Sequence, residues 1–132
     1  MKTIFVNGCF DVLHRGHIEL FKYARSLGDS LIVAIDTDDR VKSMKGPTRP
    51  FNNQFDRKFI LDSIKYIDKV LFFYSDKNLE DLVYLYKPHI MVVGSDWKNK
   101  KIIGSQYANE VRYFERVGDY STTKILQGSS DW

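Results

Sequence analysis

Apolar residues along the chain fall into two kinds of run. Residues 3–7, 31–36, 69–73, 89–93 and 111–115 are short and rich in β-branched and aromatic side chains, which predicts five strands. Leu31-Ile32-Val33-Ala34-Ile35 and Ile90-Met91-Val92-Val93 are apolar without a break, the pattern of parallel strands covered on both faces. The stretches between them carry a helical period. In residues 16–27, Leu20, Phe21, Ala24 and Leu27 share one face, and Gly28 follows as a stop. In residues 54–67, Phe55, Phe59, Ile60, Ile64 and Ile67 repeat the pattern. Asn78 reads as an N-cap before Leu79, Leu82, Val83 and Tyr86, with Asp81 in the first turn and Pro88 at the exit. A last short helix is expected from Ser121.

Strand–helix alternation predicts an α/β fold, a Rossmann-like open parallel five-stranded sheet with helices on both faces and right-handed crossovers. At 132 residues, one domain covering residues 1–132 is expected. No internal repeat or linker interrupts it. Residues 44–53, Met-Lys-Gly-Pro-Thr-Arg-Pro-Phe-Asn-Asn, are basic and hold two prolines and a glycine. They are expected to form a loop that acts as a mobile flap. The tail from Gln127 is expected to fray.

Composition narrows the function classes. Hydrophobic residues are 43% and charged residues 28%, which argues against disorder. The 20 basic and 17 acidic residues give a net charge of +3. Lysines alternate with acids, without the basic stripe and interleaved aromatics of a nucleic-acid binder. No apolar run approaches the roughly 18 residues of a membrane span, and the N-terminus lacks the longer apolar region of a signal peptide. Cys9 is the single cysteine, so no internal disulfide forms. These features point to the cytoplasm.

The chemistry concentrates after the first strand, in Gly8-Cys9-Phe10-Asp11-Val12-Leu13-His14-Arg15-Gly16-His17. Gly8 permits close approach of the backbone, and Gly16 allows a tight helix entry. A helix start beside the carboxyl end of a first parallel strand favours phosphate, through free N–H groups and the helix dipole. Two imidazoles three residues apart can address one phosphate chain. A third nearby ligand that would complete a zinc site is missing, so no metal site is assigned. His89, at a strand start after Pro88, reads as structural. Ser121-Thr122-Thr123-Lys124 reads as a second cap and helix start.

This segment resembles the signature of the HxGH nucleotidyltransferase superfamily. The resemblance continues at Gly94-Ser95-Asp96-Trp97 and at Arg116-Val117-Gly118-Asp119-Tyr120-Ser121-Thr122-Thr123-Lys124-Ile125, and so covers nearly the whole chain in order. It implies attack by a phosphate ester on the α-phosphorus of an NTP, releasing pyrophosphate. Positioning and charge stabilisation carry such a reaction. His14 and His17 would stabilise the transition state, and Lys45, with Lys42 beside it, would approach a phosphate from the flap. Gly8, Cys9, Phe10, Asp11 and Gly16 would bind nucleotide. So would Arg57, which resembles the family's Arg at this helix start, together with Gly94, Asp96 and Trp97. Arg116, Ser121, Thr122 and Thr123 would complete the nucleotide site. Mg²⁺ would accompany the NTP, bridging phosphate oxygens largely through water.

Two subfamilies share these features. Lys45-Gly46-Pro47-Thr48-Arg49-Pro50, the following Asp56-Arg57, and Ile102-Ile103-Gly104 are similar to heptose 1-phosphate adenylyltransferase domains. Asp96-Trp97 and Arg116, five residues before Ser121, are similar to glycerol-3-phosphate cytidylyltransferases, although Val117 to Tyr120 depart from their RTEGIS motif. The expectation leans to CTP, with a small polyol or sugar phosphate as acceptor and a homodimer as assembly. Transfer of AMP from ATP to heptose 1-phosphate is the alternative. A non-catalytic nucleotide-binding module would have lost a histidine or Lys45, and neither is lost.

Overall fold

A computed structural model of the chain describes residues 1–115. Five strands are laid down in chain order, β1 (Thr3–Gly8), β2 (Ser30–Asp36), β3 (Lys69–Phe73), β4 (Ile90–Gly94) and β5 (Glu110–Phe114). They form one all-parallel sheet in the order β3-β2-β1-β4-β5. The chain builds outward from β1 to β2 and β3, then returns to place β4 on the other side of β1. The carboxyl ends of β1 and β4 therefore flank the point where strand order reverses, where open α/β sheets bind ligands.

Helices α1 (Arg15–Ser26), α2 (Asp38–Lys45), α3 (Gln54–Asp62) and α4 (Asp76–Tyr86) make the crossovers. One face of the sheet packs Ile4, Val6, Val33 and Ile35 against Phe21 and Ala24 of α1 and Leu61 of α3. The other packs Phe5, Ile32 and Met91 against Leu79 and Val83 of α4. Burial on both faces explains the unbroken apolar runs of β2 and β4. Gly104, at φ 84°, lies against Val83, where a Cβ would come within 2.7 Å of its side chain. Only glycine lets residues 102–107 close onto α4 there. His89 is structural: its Nδ1 accepts from the Thr3 N–H at 3.1 Å, and its N–H donates to the Thr3 carbonyl at 2.9 Å.

Three expectations change. The helix expected at residues 54–67 ends at Asp62, where Ser63 caps it and turns through Ile64 and Ile67 lead into β3. Its buried residues are Arg57 and Leu61, whereas Phe55 and Phe59 are 68% and 74% exposed. The aromatic stripe marked a surface, because Arg57 takes the inward position. Second, the N-cap of α4 is Ser75, three residues before Asn78. The Ser75 hydroxyl accepts from the Asn78 N–H at 3.0 Å, and the Asn78 side chain accepts from the Tyr74 N–H at 3.0 Å, so Asn78 completes a cap that Ser75 begins. Third, Met44 and Lys45 belong to the last turn of α2, not to a loop. The helix expected from Ser121 lies outside the described residues.

Candidate active site

His14 and His17 cap their own helix. The Gly16 N–H donates to Nδ1 of His14 at 3.1 Å, and the His14 N–H donates to Nδ1 of His17 at 3.2 Å. This is a reciprocal capping box built from two imidazoles. A ring nitrogen that accepts carries no proton, so each neutral imidazole holds its proton on Nε2. The rings stack 3.8 Å apart at 24°. Their Nε2–H donors are thereby oriented together at the amino end of α1, beside the carboxyl end of β1.

Phe10 holds this arrangement from below. It sits at φ 51°, a strained left-handed conformation for a bulky residue. Its ring packs edge-on against His17 at 5.3 Å and against Phe21 at 5.1 Å. Gly8 makes room for it, since a Cβ at that position would lie 2.9 Å from the ring. The close approach that Gly8 permits is thus made by Phe10, and Phe10, expected to touch nucleotide, is buried as packing.

Asp11 and Arg57 were also expected to bind nucleotide. They are 2% and 1% exposed and are engaged within the protein. The Asp11 carboxylate accepts from the Asn52 N–H at 2.8 Å through Oδ1. Its Oδ2 accepts from the Phe51 N–H at 2.8 Å and Arg49 Nε at 3.0 Å. Arg57 donates from Nε to the Asn52 carbonyl at 3.0 Å, from Nη1 to the Cys9 carbonyl at 3.0 Å, and from Nη2 to Asp38 at 2.8 Å. Both are positioning residues in this structure, because every polar atom they carry inward meets a partner on the next segment. They tie the motif loop to residues 49–52 and to the start of α2. The expected flap is therefore divided: its first two residues are helical, residues 49–52 are pinned to Asp11, and residues 46–48 link the two.

On the other side of the Gly8–Cys9 backbone lies a cavity of about 350 Å³ under the ends of β1–β4. Lys45, exposed at the end of α2, stands at its edge, and Gly94 and Trp97 line it as well. Trp97 is half-exposed, and Asp96 is exposed beside it in a short 3-10 helix, Ser95–Trp97. Burial pushes the Cys9 thiol up, against the opposing pull of the Lys45 and Arg57 charges. Burial likewise raises the Asp36 carboxyl at the end of β2, opposed by Arg40. Among the described residues, no three His, Cys, Asp or Glu are grouped to hold a metal ion. No helix there is long and apolar enough to cross a membrane.

A family model described as cytidylyltransferase-like matches residues 5–128. The chain belongs to the cytidylyltransferase-like family. Similar relatives include the bifunctional protein HldE of a Nitratiruptor species, 44% identical over 96% of this chain, and that of Aliarcobacter butzleri, 42% identical over 96%. The chain spans about a quarter of their length, 27% and 26%. In fold it is similar to a lipopolysaccharide core biosynthesis protein from Thermoplasma volcanium GSS1. That match has a TM-score of 0.69 at 22% identity and covers 92% of this chain and 99% of the other. A pantoate-beta-alanine ligase from Francisella tularensis matches with a TM-score of 0.63 at 17% identity, over 96% and 68% of the two chains.

Membership in the cytidylyltransferase-like family agrees with the resemblance carried by the first motif. The structure brings Gly8, Cys9, Lys45, Gly94 and Trp97 around one cavity and sets His14 and His17 on the opposite side of β1. Arg116, Ser121, Thr122 and Thr123 lie outside the described residues. Sequence reading missed Asp36, Asp38, Arg40, Arg49 and Asn52. The run Asp36-Thr37-Asp38-Asp39-Arg40 carried a faint signal, but only the fold shows what these residues meet.

Proposed function

We propose that the chain transfers a nucleotidyl group from an NTP, taken as its Mg²⁺ complex, to a small sugar or polyol phosphate, releasing pyrophosphate. The observation that carries this reading is the reciprocal histidine cap. Fixing both Nδ1 atoms as acceptors orients two Nε2–H donors toward one place at a helix amino end. Donors held there before reaction would stabilise charge growing on the phosphates without reorganising. Lys45 would add a mobile positive charge from the end of α2, and the acceptor phosphate would displace pyrophosphate in line.

Similarity to HldE proteins supports ATP as the nucleotide, the side of the resemblance carried by residues 45–50 and 102–104. Trp97 remains the argument for CTP. The product would be a nucleotide-activated sugar or polyol of the kind consumed in polysaccharide assembly. Pyrophosphate release from ATP and CTP, with Mg²⁺ and a panel of phosphorylated acceptors, tests the reading; no release above the acceptor-free rate with either nucleotide would refute it.

A symmetric homodimer accompanies the proposal. Phe51, Phe55 and Phe59 stand about 70% exposed within nine residues, an apolar patch of the kind that marks protein contacts. Light scattering at micromolar concentration should give twice the chain mass, and Phe59→Glu should return it to the monomer; a monomeric parent protein refutes the assembly.

A further inference from the structure

The cavity beside Gly8–Cys9 has a chemical character of its own. His14 and His17 are not among its lining residues, and Lys45 is. Deeper in, its walls are apolar: Val41 from α2, Phe73 from β3, Leu79 from α4, and Ile102 and Ile103 after β4. The Asn7 side chain of β1 and one ion pair interrupt them. Arg40 Nε meets Asp36 Oδ1 at 2.6 Å, both side chains 15% exposed. Arg40 is held again by Asp76 at 2.6 Å and lies 5.2 Å over the Phe73 ring.

This arrangement fixes Asp36. Arg40 is clamped by two carboxylates and a ring, so it holds the Asp36 carboxylate at the carboxyl end of β2 through Oδ1 alone. Among the described residues, Oδ2 of Asp36 accepts no hydrogen bond, and a carboxylate oxygen can accept more than one. A hydroxyl on a bound molecule can donate to it. The aliphatic side chains of Val41, Leu79, Ile102 and Ile103 offer no such partner. A hydroxyl pressed against Leu79, Ile102 or Ile103 would leave water and gain nothing, whereas a methyl or methylene group would fit without that loss.

Resting on the nucleotidyl-transfer reading, we propose that this cavity holds the end of the acceptor remote from its phosphate. That end is deoxygenated: it presents one hydroxyl to Asp36 and alkyl carbon to the walls. The acceptor class is a deoxy-sugar phosphate or another partly deoxygenated polyol phosphate, with its phosphate toward Lys45 and the α-phosphorus. Asp36 is the specificity-determining residue. Apolar pockets discriminate against one added hydroxyl by up to about 10²-fold, which sets the scale of the preference.

Calorimetric titration of the full chain with matched probes tests this, in the presence of Mg²⁺ and a non-transferable α,β-methylene NTP analogue. The pairs are 6-deoxyglucose 1-phosphate against glucose 1-phosphate, and 1,2-propanediol 1-phosphate against glycerol 3-phosphate. In at least one pair the deoxygenated member should bind tenfold or more tighter. Asp36→Asn should weaken that probe about tenfold while leaving the affinity for the analogue unchanged. Ile103→Thr, nearly isosteric, should narrow the preference within the pair. Equal binding, tighter binding of the hydroxylated members, or no binding of any probe overturns the proposal, as does an Asp36→Asn variant that binds like the parent. Pyrophosphate release separates the two ideas. Release with an inverted preference refutes the acceptor class and leaves nucleotidyl transfer standing. Selective binding without release from any nucleotide refutes the transfer reading instead.

Discussion

Replacing Asp11 by Asn keeps the shape of the side chain and changes only its hydrogen-bonding capacity. The carboxylate receives three N–H donors, from Asn52 on Oδ1 and from Phe51 and Arg49 on Oδ2. An amide must turn its NH₂ toward one side. The better orientation retains the carbonyl for Phe51 and Arg49 and leaves the Asn52 N–H facing another donor. An orphaned buried donor costs about 1–3 kcal/mol. The two retained bonds lose their charge assistance, about 1 kcal/mol each. With Asp11 almost wholly buried and Arg49 largely so, the loss totals about 3–5 kcal/mol, the scale seen when one partner of a buried pair is removed.

That loss is a large part of the roughly 5–15 kcal/mol that holds a domain folded. Urea unfolding is the assay. With a slope of about 2 kcal/mol per molar, the midpoint should fall by about 1.5–2.5 M with the slope unchanged. Turnover should fall as well, because residues 49–52 lose their tie to the motif loop. A midpoint shift below about 0.5 M, together with a raised KM for the nucleotide, would refute the reasoning. The carboxylate would then face the substrate instead of the backbone of residues 51 and 52.

Further outcomes follow from the same geometry. His17→Ala should lower kcat by about 10² or more while costing only about 1 kcal/mol of stability, the worth of one cap; near-normal turnover in steady-state assays would remove the histidines from the chemistry. Lys45→Ala should lower kcat by about 10–10³-fold, or about 1.4–4 kcal/mol, with an unchanged Tm, since Lys45 is exposed and joins no ion pair among the described residues. Cys9 should react with iodoacetamide at pH 7.5 more slowly than a free-cysteine peptide, because burial raises its thiol above the ordinary 9.0 and only the thiolate attacks. Its rate should climb as pH rises and slow further in Lys45→Ala, which removes a charge that favours the thiolate.

The sheet was legible because its cause is local. Unbroken apolar runs of four and five residues and helical stripes between them admit few arrangements, and β1–β5 fall within a residue of where the runs lie. What failed to be legible depended on a distant partner. The Phe55–Phe59 stripe reads as a core face by period alone. It becomes surface because Arg57, two residues from each and on the opposite side of the helix, finds three acceptors on Asn52, Cys9 and Asp38 and can therefore be buried as a charge. Without those acceptors the helix would have to rotate its aromatics inward. The same dependence hid Asp36 and Arg40: four residues apart, they look like an ordinary surface pair until Phe73 and Asp76 arrive from another crossover.

The motif itself shows why the arrangement of its histidines follows from residue type and spacing where the partners of Asp11 do not. A Ser-x-x-Glu cap would satisfy the same helix end, but it would leave no proton donor directed outward. Two histidines satisfy the backbone through Nδ1 and, by that act, commit Nε2 as donor. Capping and preorganisation are one constraint, so residue type and spacing alone announce both. An aspartate carries no such constraint. Its oxygens accept equally well from a ligand, a metal or a backbone N–H, and only the placement of residues 49–52 decides among them. Here they engage both oxygens, so the carboxylate acts on the loop it holds. Proton donors fixed by their own helix are independent of that loop. Asp11→Asn should therefore reduce the positioning of Lys45 and the acceptor while leaving the histidine cap intact.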